Sequence, residues 1–297
     1  MKKITRLFLC LLLTLSLAVP AAAAPASYPS QMGFSSRKAV KILMIGNSYT
    51  WFNKMPEMLE KISSSAGVKT KVTSVTCGGA SLRHFADRST RIGRRVNQLL
   101  KNQKWDYVIL QDRHFYPIAY PERLYDAVLD LKPRIEAAGA KTVLFMTWAP
   151  YGYSKDYSMY KNVVKGREDY QKQIQEIYET TAREANALVV PAGLSVTKAD
   201  KADIVKRLLR RDGSHPNYAG SYVTACTIFK TLFPDSSDTI TYYGRFASKP
   251  RTARALQRIA INTAKSYQQP NNEETKTETA FSWWSLFFVP SAFVYTN

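Results

Sequence analysis

The chain has 297 residues, of which 45% are hydrophobic, so it can bury a sizeable core. Its 42 Lys and Arg against 23 Asp and Glu give a formal net charge of +19. The export signal described next argues against a nucleic-acid partner for this charge. The charge favours anionic envelope polymers or lipid headgroups, although a merely solvated basic surface is equally consistent with it.

Residues 1–24 have the layout of a secretory signal peptide. A basic start at 2–6 precedes an apolar run at 7–19, and small residues at 21–24 suit signal peptidase. The apolar run is too short for a comfortable membrane span. We therefore predict an exported protein, periplasmic or extracellular, in which residues 25–37 form a short linker.

Strand and helix patterns alternate along residues 38–267, which we predict to be one domain. The predicted strands are 40–45, 68–76, 107–110, 142–147 and 187–190. The predicted helices are 55–66, 89–102, 121–138, 170–185, 201–209 and 218–232. This alternation predicts a parallel sheet covered on both faces. We expect a three-layer α/β domain of flavodoxin-like type with a mainly parallel five-stranded sheet.

The C-terminal tail, residues 268–297, divides into two parts. Residues 268–279 are polar and are expected to be disordered. Residues 281–295 are apolar and aromatic, but too short and too interrupted by proline for a normal membrane span. This part could lie at a membrane interface, dock on the domain or remain loose, and the sequence leaves the three alternatives open.

Two cysteines, Cys77 and Cys226, remain after signal cleavage. In an oxidising compartment they could pair, but nothing in their local sequence demands it. Two separate buried thiols are an equal alternative. Two cysteines are too few for a cysteine-based metal site.

Polar or glycine residues follow three predicted strands, at the edge where open α/β sheets bind ligands. Ser48 follows the first strand in KILMIGNSYTW, Gly78 and Gly79 follow the second, and Gln111 follows the third. We expect these residues to border one site.

The turn DGSHPN, far along the chain, supplies Asp212 and His215, three residues apart. A serine, a histidine and an acid are the parts of a nucleophile, its general base and the group that orients the base. The turn therefore favours Ser48 as a nucleophile. Two alternatives remain: Ser48 could cap the helix that follows it, and Asp212 could only stabilise its own turn.

At these residues the sequence resembles a known group. GNSYT resembles the first block of the SGNH/GDSL hydrolase superfamily in its GNS variant, and DGSHPN resembles the closing Asp-x-x-His block. HPNYAGSYVTACTIF is also similar to SGNH-like proteins whose first block reads GNS. The blocks occur in the family's order, and the resemblance covers roughly residues 39–235. It implies an ester hydrolase that needs no cofactor and no metal.

Carried over residue by residue, the resemblance implies that Ser48 is the nucleophile, His215 its base and Asp212 the group that orients the imidazole. It also implies oxyanion donors in the backbone N–H groups of Ser48 and Gly79, with Gly78 as an alternative. Each such donor is typically worth about 3 kcal/mol.

The sequence departs from the family's pattern in two places. Asn47 stands where the commoner first block has Asp, which we expect to change the turn geometry more than the chemistry. The family's third block usually supplies an asparagine as a further oxyanion donor, and the corresponding LQDRH has none. We predict Gln111 as the substitute, with the Asn47 amide as another source.

Further side chains are expected to border the pocket. The candidate substrate contacts are Asn47, Gly78, His84, His114 and Trp148. Trp148 could wall the pocket, stack on a sugar ring or pack in the core. A metal site built from His84, His114, Asp112 and Asp212 can be drawn, but no compact ligand motif supports it.

The sequence therefore predicts a secreted serine esterase that removes O-acyl groups from a glycan or another envelope component. A lipase or small-ester esterase is the nearest enzymatic alternative. A catalytically silent SGNH-like protein that binds surface glycans is the alternative from another class, and the altered third block is the feature that favours it.

Overall fold

The computed structural model describes residues 38–270, apart from Tyr160. The predicted signal peptide, the linker and the tail beyond residue 270 lie outside the described residues. Within the described part, no helix combines the length and the apolar content needed to cross a membrane.

Five strands form one parallel sheet in the order β2-β1-β3-β4-β5. They are β1 (Val40–Gly46), β2 (Thr70–Thr76), β3 (Tyr107–Leu110), β4 (Lys141–Phe145) and β5 (Leu188–Val190). The predicted flavodoxin-like sheet is confirmed, and each strand end lies within two residues of its predicted place. In this order the chain reverses its direction across the sheet between β1 and β3, where ligands usually bind.

Eleven α-helices occur among the described residues. They are α1 (Ser48–Trp51), α2 (Met55–Ser65), α3 (Leu82–Ala86), α4 (Arg91–Asn102), α5 (Tyr116–Ala119), α6 (Pro121–Ala137), α7 (Lys155–Ser158), α8 (Arg167–Ala185), α9 (Ala192–Lys201), α10 (Tyr218–Leu232) and α11 (Pro250–Ser266).

The sheet separates two apolar cores because successive strand residues point to opposite faces. On β1, Ile42 and Met44 pack with α2, α9, α10 and α11. Leu43 and Ile45 pack with α3, α4, α6 and α8 on the other face. All four side chains are fully buried, and each contributes about 1.5–3 kcal/mol of hydrophobic free energy. The result is the expected three-layer domain.

The prediction of a helix at residues 201–209 is wrong. The helix in this region is α9, which ends at Lys201, and Asp203 just beyond it has a left-handed backbone with φ of 48°. The error has a physical reason: Ile204, Val205 and Leu208 have the apolar spacing of a helix face. In the structure they follow an irregular path against the core instead.

The C-terminal helix α11 is an element that sequence analysis did not identify. It packs against α10 and closes one face of the domain, with Leu256 and Ala260 fully buried. Beyond it, the side-chain amide of Gln269 donates to the carbonyl of Val189 and accepts from its N–H, at 3.0 and 2.8 Å. The first residues of the segment predicted to be disordered are therefore bonded to the outer edge of β5.

Neither cysteine of the domain is in a disulfide. Cys77 is exposed on the turn after β2, and Cys226 is buried in α10. Burial raises the pKa of the Cys226 thiol, so it stays protonated at neutral pH.

The start of α9 lies directly against the end of β4, and Gly193 makes this approach possible. A Cβ at position 193 would lie 2.1 Å from the Thr147 carbonyl oxygen and 2.5 Å from Nε2 of Gln171. Gly193→Ala must displace the helix, and we expect it to lower the free energy of unfolding by about 1–3 kcal/mol in urea titration. Gly152→Ala is the matched control, because its Cβ would meet no atom within 4 Å. Equal stabilities for the two variants would contradict this account.

Candidate active site

Ser48 lies at the carboxyl end of β1, beside the point where the strand order reverses. It is the first residue of the four-residue helix α1, and Asn47 is the residue that caps this helix, its Oδ1 accepting from the Tyr49 N–H at 3.1 Å. The alternative in which Ser48 is the cap is therefore wrong. Its hydroxyl is free for another partner.

The side chains of Ser48, His215 and Asp212 form one chain of hydrogen bonds. Ser48 Oγ is 3.0 Å from His215 Nε2, and His215 Nδ1 is 3.0 Å from Asp212 Oδ2. Ser48 is only 8% exposed, whereas the side chains of His215 and Asp212 are 33% and 46% exposed. The serine end of this chain is shielded from water and the aspartate end faces solvent.

Asp212 fixes the tautomer of the imidazole. Its partial burial would raise its pKa, but hydrogen bonds from the N–H groups of Ser214 and His215 and from the His215 ring together lower that pKa. The carboxyl group is therefore ionised at neutral pH and can only accept, so Nδ1 carries the proton. Nε2 is left as the acceptor for the Ser48 hydroxyl.

The turn that carries this pair is closed at its base by backbone contacts. Leu209 and Pro216 form an isolated antiparallel bridge, and the Arg210 N–H donates to the His215 carbonyl at 2.8 Å. Gly213, at the tip, has φ of +73°, a conformation that favours glycine. These contacts hold the imidazole in place from the surface side.

Tyr49, next to the nucleophile, holds the same turn from the buried side. Its hydroxyl is hydrogen-bonded to Ser214 Oγ, and its ring stacks on Trp148 with centroids 4.8 Å apart. Trp148 Nε1–H donates to the Ser214 carbonyl at 3.0 Å, and the tryptophan is fully buried. The prediction that Trp148 contacts substrate is wrong, because none of its side chain reaches the surface. It packs in the core.

His114 lies beside Tyr49 within the wall of the site. The two rings stack with centroids 5.3 Å apart, and the histidine is 8% exposed. Its Nε2 is 3.3 Å from Asp156 Oδ2 on α7. The imidazole lowers the pKa of Asp156 to about 2, and burial lowers the pKa of His114 itself. His114, a candidate substrate contact, thus lies near the site but has Asp156 as a neighbour within the protein.

Gln111 has a different task from the predicted one. Its Oε1 accepts from the Asn47 N–H at 2.8 Å and from the Thr50 hydroxyl at 2.9 Å, and its Nε2 donates to the Asp112 carbonyl. The side chain is fully buried. The side-chain oxygen of Gln111 holds the turn that carries Ser48, and its nitrogen is bonded to the Asp112 carbonyl. Gln111 therefore positions the nucleophile and is not an oxyanion donor.

Asn47 connects the nucleophile turn with the glycine turn after β2. Its Nδ2 donates to the Ala80 carbonyl at 3.1 Å, and the residue is 3% exposed. An ionised aspartate could not donate this bond, which gives a physical reason for asparagine at this position. The amide predicted as an alternative oxyanion donor or substrate contact is thus bonded to the protein's own backbone.

Gly78 and Gly79 form the exposed tip of that turn, which the Ala80 N–H closes onto the Cys77 carbonyl at 3.2 Å. Gly79 has φ of +69°. Asp112 stabilises the chain just beyond, where its Oδ1 accepts from the Leu82 N–H at 2.6 Å. Burial raises the pKa of Asp112 to about 6.

His84 lies on α3 and is exposed, with its Nδ1 3.0 Å from Ser81 Oγ. None of its described contacts involves the Ser-His-Asp chain. Across residues 38–270 other than Tyr160, no three His, Cys, Asp or Glu side chains lie close enough to hold a metal ion.

Fold and site together place the chain in the SGNH/GDSL hydrolase superfamily, a class of enzymes that cleave ester bonds. Within that class, the chain belongs to the family described as domain of unknown function DUF4886, whose sequence profile matches residues 87–263. The matched segment includes the Asp-x-x-His turn and begins after the serine block.

The solved structures that are similar to the chain include the following two. A candidate SGNH hydrolase from Slackia heliotrinireducens is 29% identical with a TM-score of 0.57, over 66% of this chain and 100% of that one. A DUF4886 family protein from Bacteroides uniformis is 19% identical with a TM-score of 0.65, over 76% and 95% of the two chains. The second likeness shows the fold alone. No curated protein matches the sequence.

Sequence reasoning missed the residues that position the site. Tyr49 and Ser214 could have been suspected, since each adjoins a motif residue, but nothing in the sequence indicates that they meet. Asp156 lies on the short helix α7, where no local sequence signal marks it, and is brought to His114 by the fold alone.

Gln111→Ala tests the supporting role of this side chain. It leaves the buried donors of Asn47 and Thr50 without their acceptor, at about 1–3 kcal/mol each. We expect a marked loss in both the free energy of unfolding and the esterase activity. An oxyanion donor facing the pocket would cost activity at unchanged stability, and that result would overturn our assignment. Gln98→Ala, at an exposed position of α4, is the control.

Asn47→Asp tests the bond to the Ala80 carbonyl. An ionised carboxylate cannot donate and would oppose that oxygen, so we expect a loss of about 1–3 kcal/mol at pH 7.5. Burial raises the pKa of such a carboxyl, so the folded state holds its proton more tightly and the loss shrinks at pH 5. Urea midpoints of variant and wild type at both pH values measure this. A stability difference independent of pH would contradict it.

Proposed function

We propose that the protein is an exported serine esterase that removes O-acyl groups from a glycan or another component of the cell envelope. The observation that carries the catalytic part is the continuous hydrogen-bond chain from Ser48 through His215 to Asp212. A serine hydroxyl is un-ionised at neutral pH and needs such a base to become nucleophilic.

The proposed reaction has two stages. Ser48 Oγ attacks the acyl carbonyl while His215 Nε2 takes its proton, and the tetrahedral intermediate then expels the alcohol oxygen, which receives that proton. The acyl group is now bonded to Oγ. Water attacks it with His215 again as the base, releasing the carboxylic acid and restoring the serine. Asp212 remains ionised and stabilises the imidazolium in both stages.

The developing oxyanion requires donors, and the backbone near Ser48 can provide them. Ser48 is the first residue of α1, so no preceding turn accepts its N–H. The N–H of Gly79 is the second donor that we propose, on a turn that Asn47 fastens to the nucleophile. Since Gln111 serves as an acceptor, the proposed oxyanion hole rests on backbone donors.

The substrate class is supported by the surface around the site. Trp51 is 44% exposed and stacks on Phe52, whose ring lies 5.0 Å from that of His215. Tyr153 is 61% exposed, and a Cβ on Gly213 would lie 2.9 Å from its ring. Exposed aromatic rings near the base and its turn suit sugar rings or an acyl chain. The export signal and the net charge of +19 favour an anionic envelope polymer over a soluble metabolite.

Hydrolysis of p-nitrophenyl acetate tests the mechanism. We expect Ser48→Ala and His215→Ala to lower kcat by at least about 10³-fold, and Asp212→Asn to lower it because the tautomer is no longer fixed. Ser64→Ala, at an exposed serine on α2, is the matched control and should retain wild-type activity. Unchanged activity in Ser48→Ala would contradict the assignment of Ser48 as the nucleophile. A wild type that is inactive on short esters, long esters and acetylated glycans would contradict the assignment as an enzyme.

A further inference from the structure

A cavity that has Asn53, on the segment after the nucleophile turn, in its wall is lined by positively charged and aromatic side chains. Its volume is about 270 Å³, near the lower end of the ligand pockets of about 300–1,000 Å³ that proteins use for small molecules. Lys54, Lys61 and Arg245 contribute positive charges to its lining, and Tyr218 and Tyr242 contribute aromatic rings. This size suits one sugar unit with a charged substituent.

The cations of this cavity are not neutralised by their neighbours. Glu57 is the one acid among the described lining residues, and its carboxylate lies 3.9 Å from Lys54 Nζ with both side chains more than half exposed. An exposed pair of this kind is worth about 0–1 kcal/mol. Lys61 and Arg245 lie instead over the rings of Tyr242 and Tyr218, at 5.9 and 4.9 Å. A net positive charge therefore remains available.

The wall of the cavity is closely packed around Tyr218. The Arg245 N–H donates to the Tyr218 hydroxyl at 3.0 Å. Gly244 lies so close to this tyrosine that a Cβ would be 1.9 Å from its hydroxyl oxygen. The Tyr218 hydroxyl is thereby held against the backbone of Gly244 and Arg245.

The backbone at the opposite wall is strained. Asn53 and Lys54 are consecutive residues with φ of 56°, in a region that residues with side chains rarely adopt. Such conformations cost on the order of 1–3 kcal/mol each and concentrate at functional sites. Here the strained pair places the side chains of both residues in the cavity lining.

The cavity is joined to the catalytic base through this strained segment. Asn53 Nδ2 donates to the Pro216 carbonyl at 3.2 Å and to Ser221 Oγ at 2.8 Å. Pro216 follows His215 directly, and Phe52 contacts the His215 ring. The lining residue Asn53 is therefore bonded to the residue that directly follows the catalytic base.

We propose that this cavity binds a negatively charged substituent, a carboxylate or a phosphate, on a sugar unit next to the acylated one. The role in substrate selection rests on the proposed esterase function, while the binding of the anion does not. Cations and aromatic faces in one lining match an acidic sugar, because the rings receive its apolar face and the cations its charge.

Isothermal titration calorimetry of the purified full chain with sodium D-glucuronate, inorganic phosphate and D-glucose tests the binding site. We expect saturable binding of glucuronate or phosphate. The anion that binds more strongly shows whether the cavity prefers a carboxylate or a phosphate on its ligand. Glucose should bind at least tenfold more weakly. Lys54→Gln/Arg245→Gln should weaken anion binding at least tenfold, and Lys61→Gln alone should weaken it severalfold.

The matched control is Arg95→Gln/Lys101→Gln, which removes the same charge from exposed positions of α4 on the opposite face of the sheet. It should change anion binding less than twofold. Absence of saturable binding by both anions, or equal losses in the cavity and control variants, would overturn the proposal. Ester hydrolysis by the wild type is measured separately. Anion binding without hydrolysis would contradict the proposed esterase function and support the binding site.

Discussion

One side-chain oxygen holds the catalytic edge of the sheet together. Gln111 Oε1 accepts from the Asn47 N–H and the Thr50 hydroxyl, at 2.8 and 2.9 Å, and joins the end of β3 to the turn after β1. Gly46 permits this approach, because a Cβ there would lie 2.5 Å from the same oxygen. Neither donor can turn to water, so the full desolvation penalty opposes any rearrangement. The position of Ser48, between the two donors in sequence, follows from this constraint.

The base is positioned by the same segment of chain. Tyr49 extends from the nucleophile turn to Ser214, and the buried Trp148 bonds to the carbonyl of that serine. Nucleophile and base are 167 residues apart in sequence. Their turns are joined by Tyr49, which follows Ser48, and Ser214, which precedes His215. The separation of nucleophile and base, 3.0 Å, thus depends on one aromatic cluster, and disturbing it would move both groups together.

The strands and the triad partners could be predicted because their signals are local, in apolar runs and in two short motifs. The role of Gln111 could not, since an amide can donate or accept and only the fold shows which groups face its oxygen. Trp148 follows a strand end like a pocket residue, but its burial depends on Tyr49 from another element. The helix predicted for 201–209 failed because apolar spacing marks a buried face whether or not the backbone is helical.

The site therefore has two parts with different freedom to vary. The buried part, around Gln111 and Tyr49, fixes the chemistry, and a substitution there costs stability as well as activity. The exposed part, from Trp51 to Lys54 and across to Arg245, lies outside the hydrogen bonds that position the nucleophile, and we propose that it selects the substrate. Exposed cations act over only about 8 Å at physiological salt, so the overall positive charge can attract a polymer but cannot orient it. In our proposal, orientation falls to the cavity lining, where the rings of Tyr218 and Tyr242 accompany the cations.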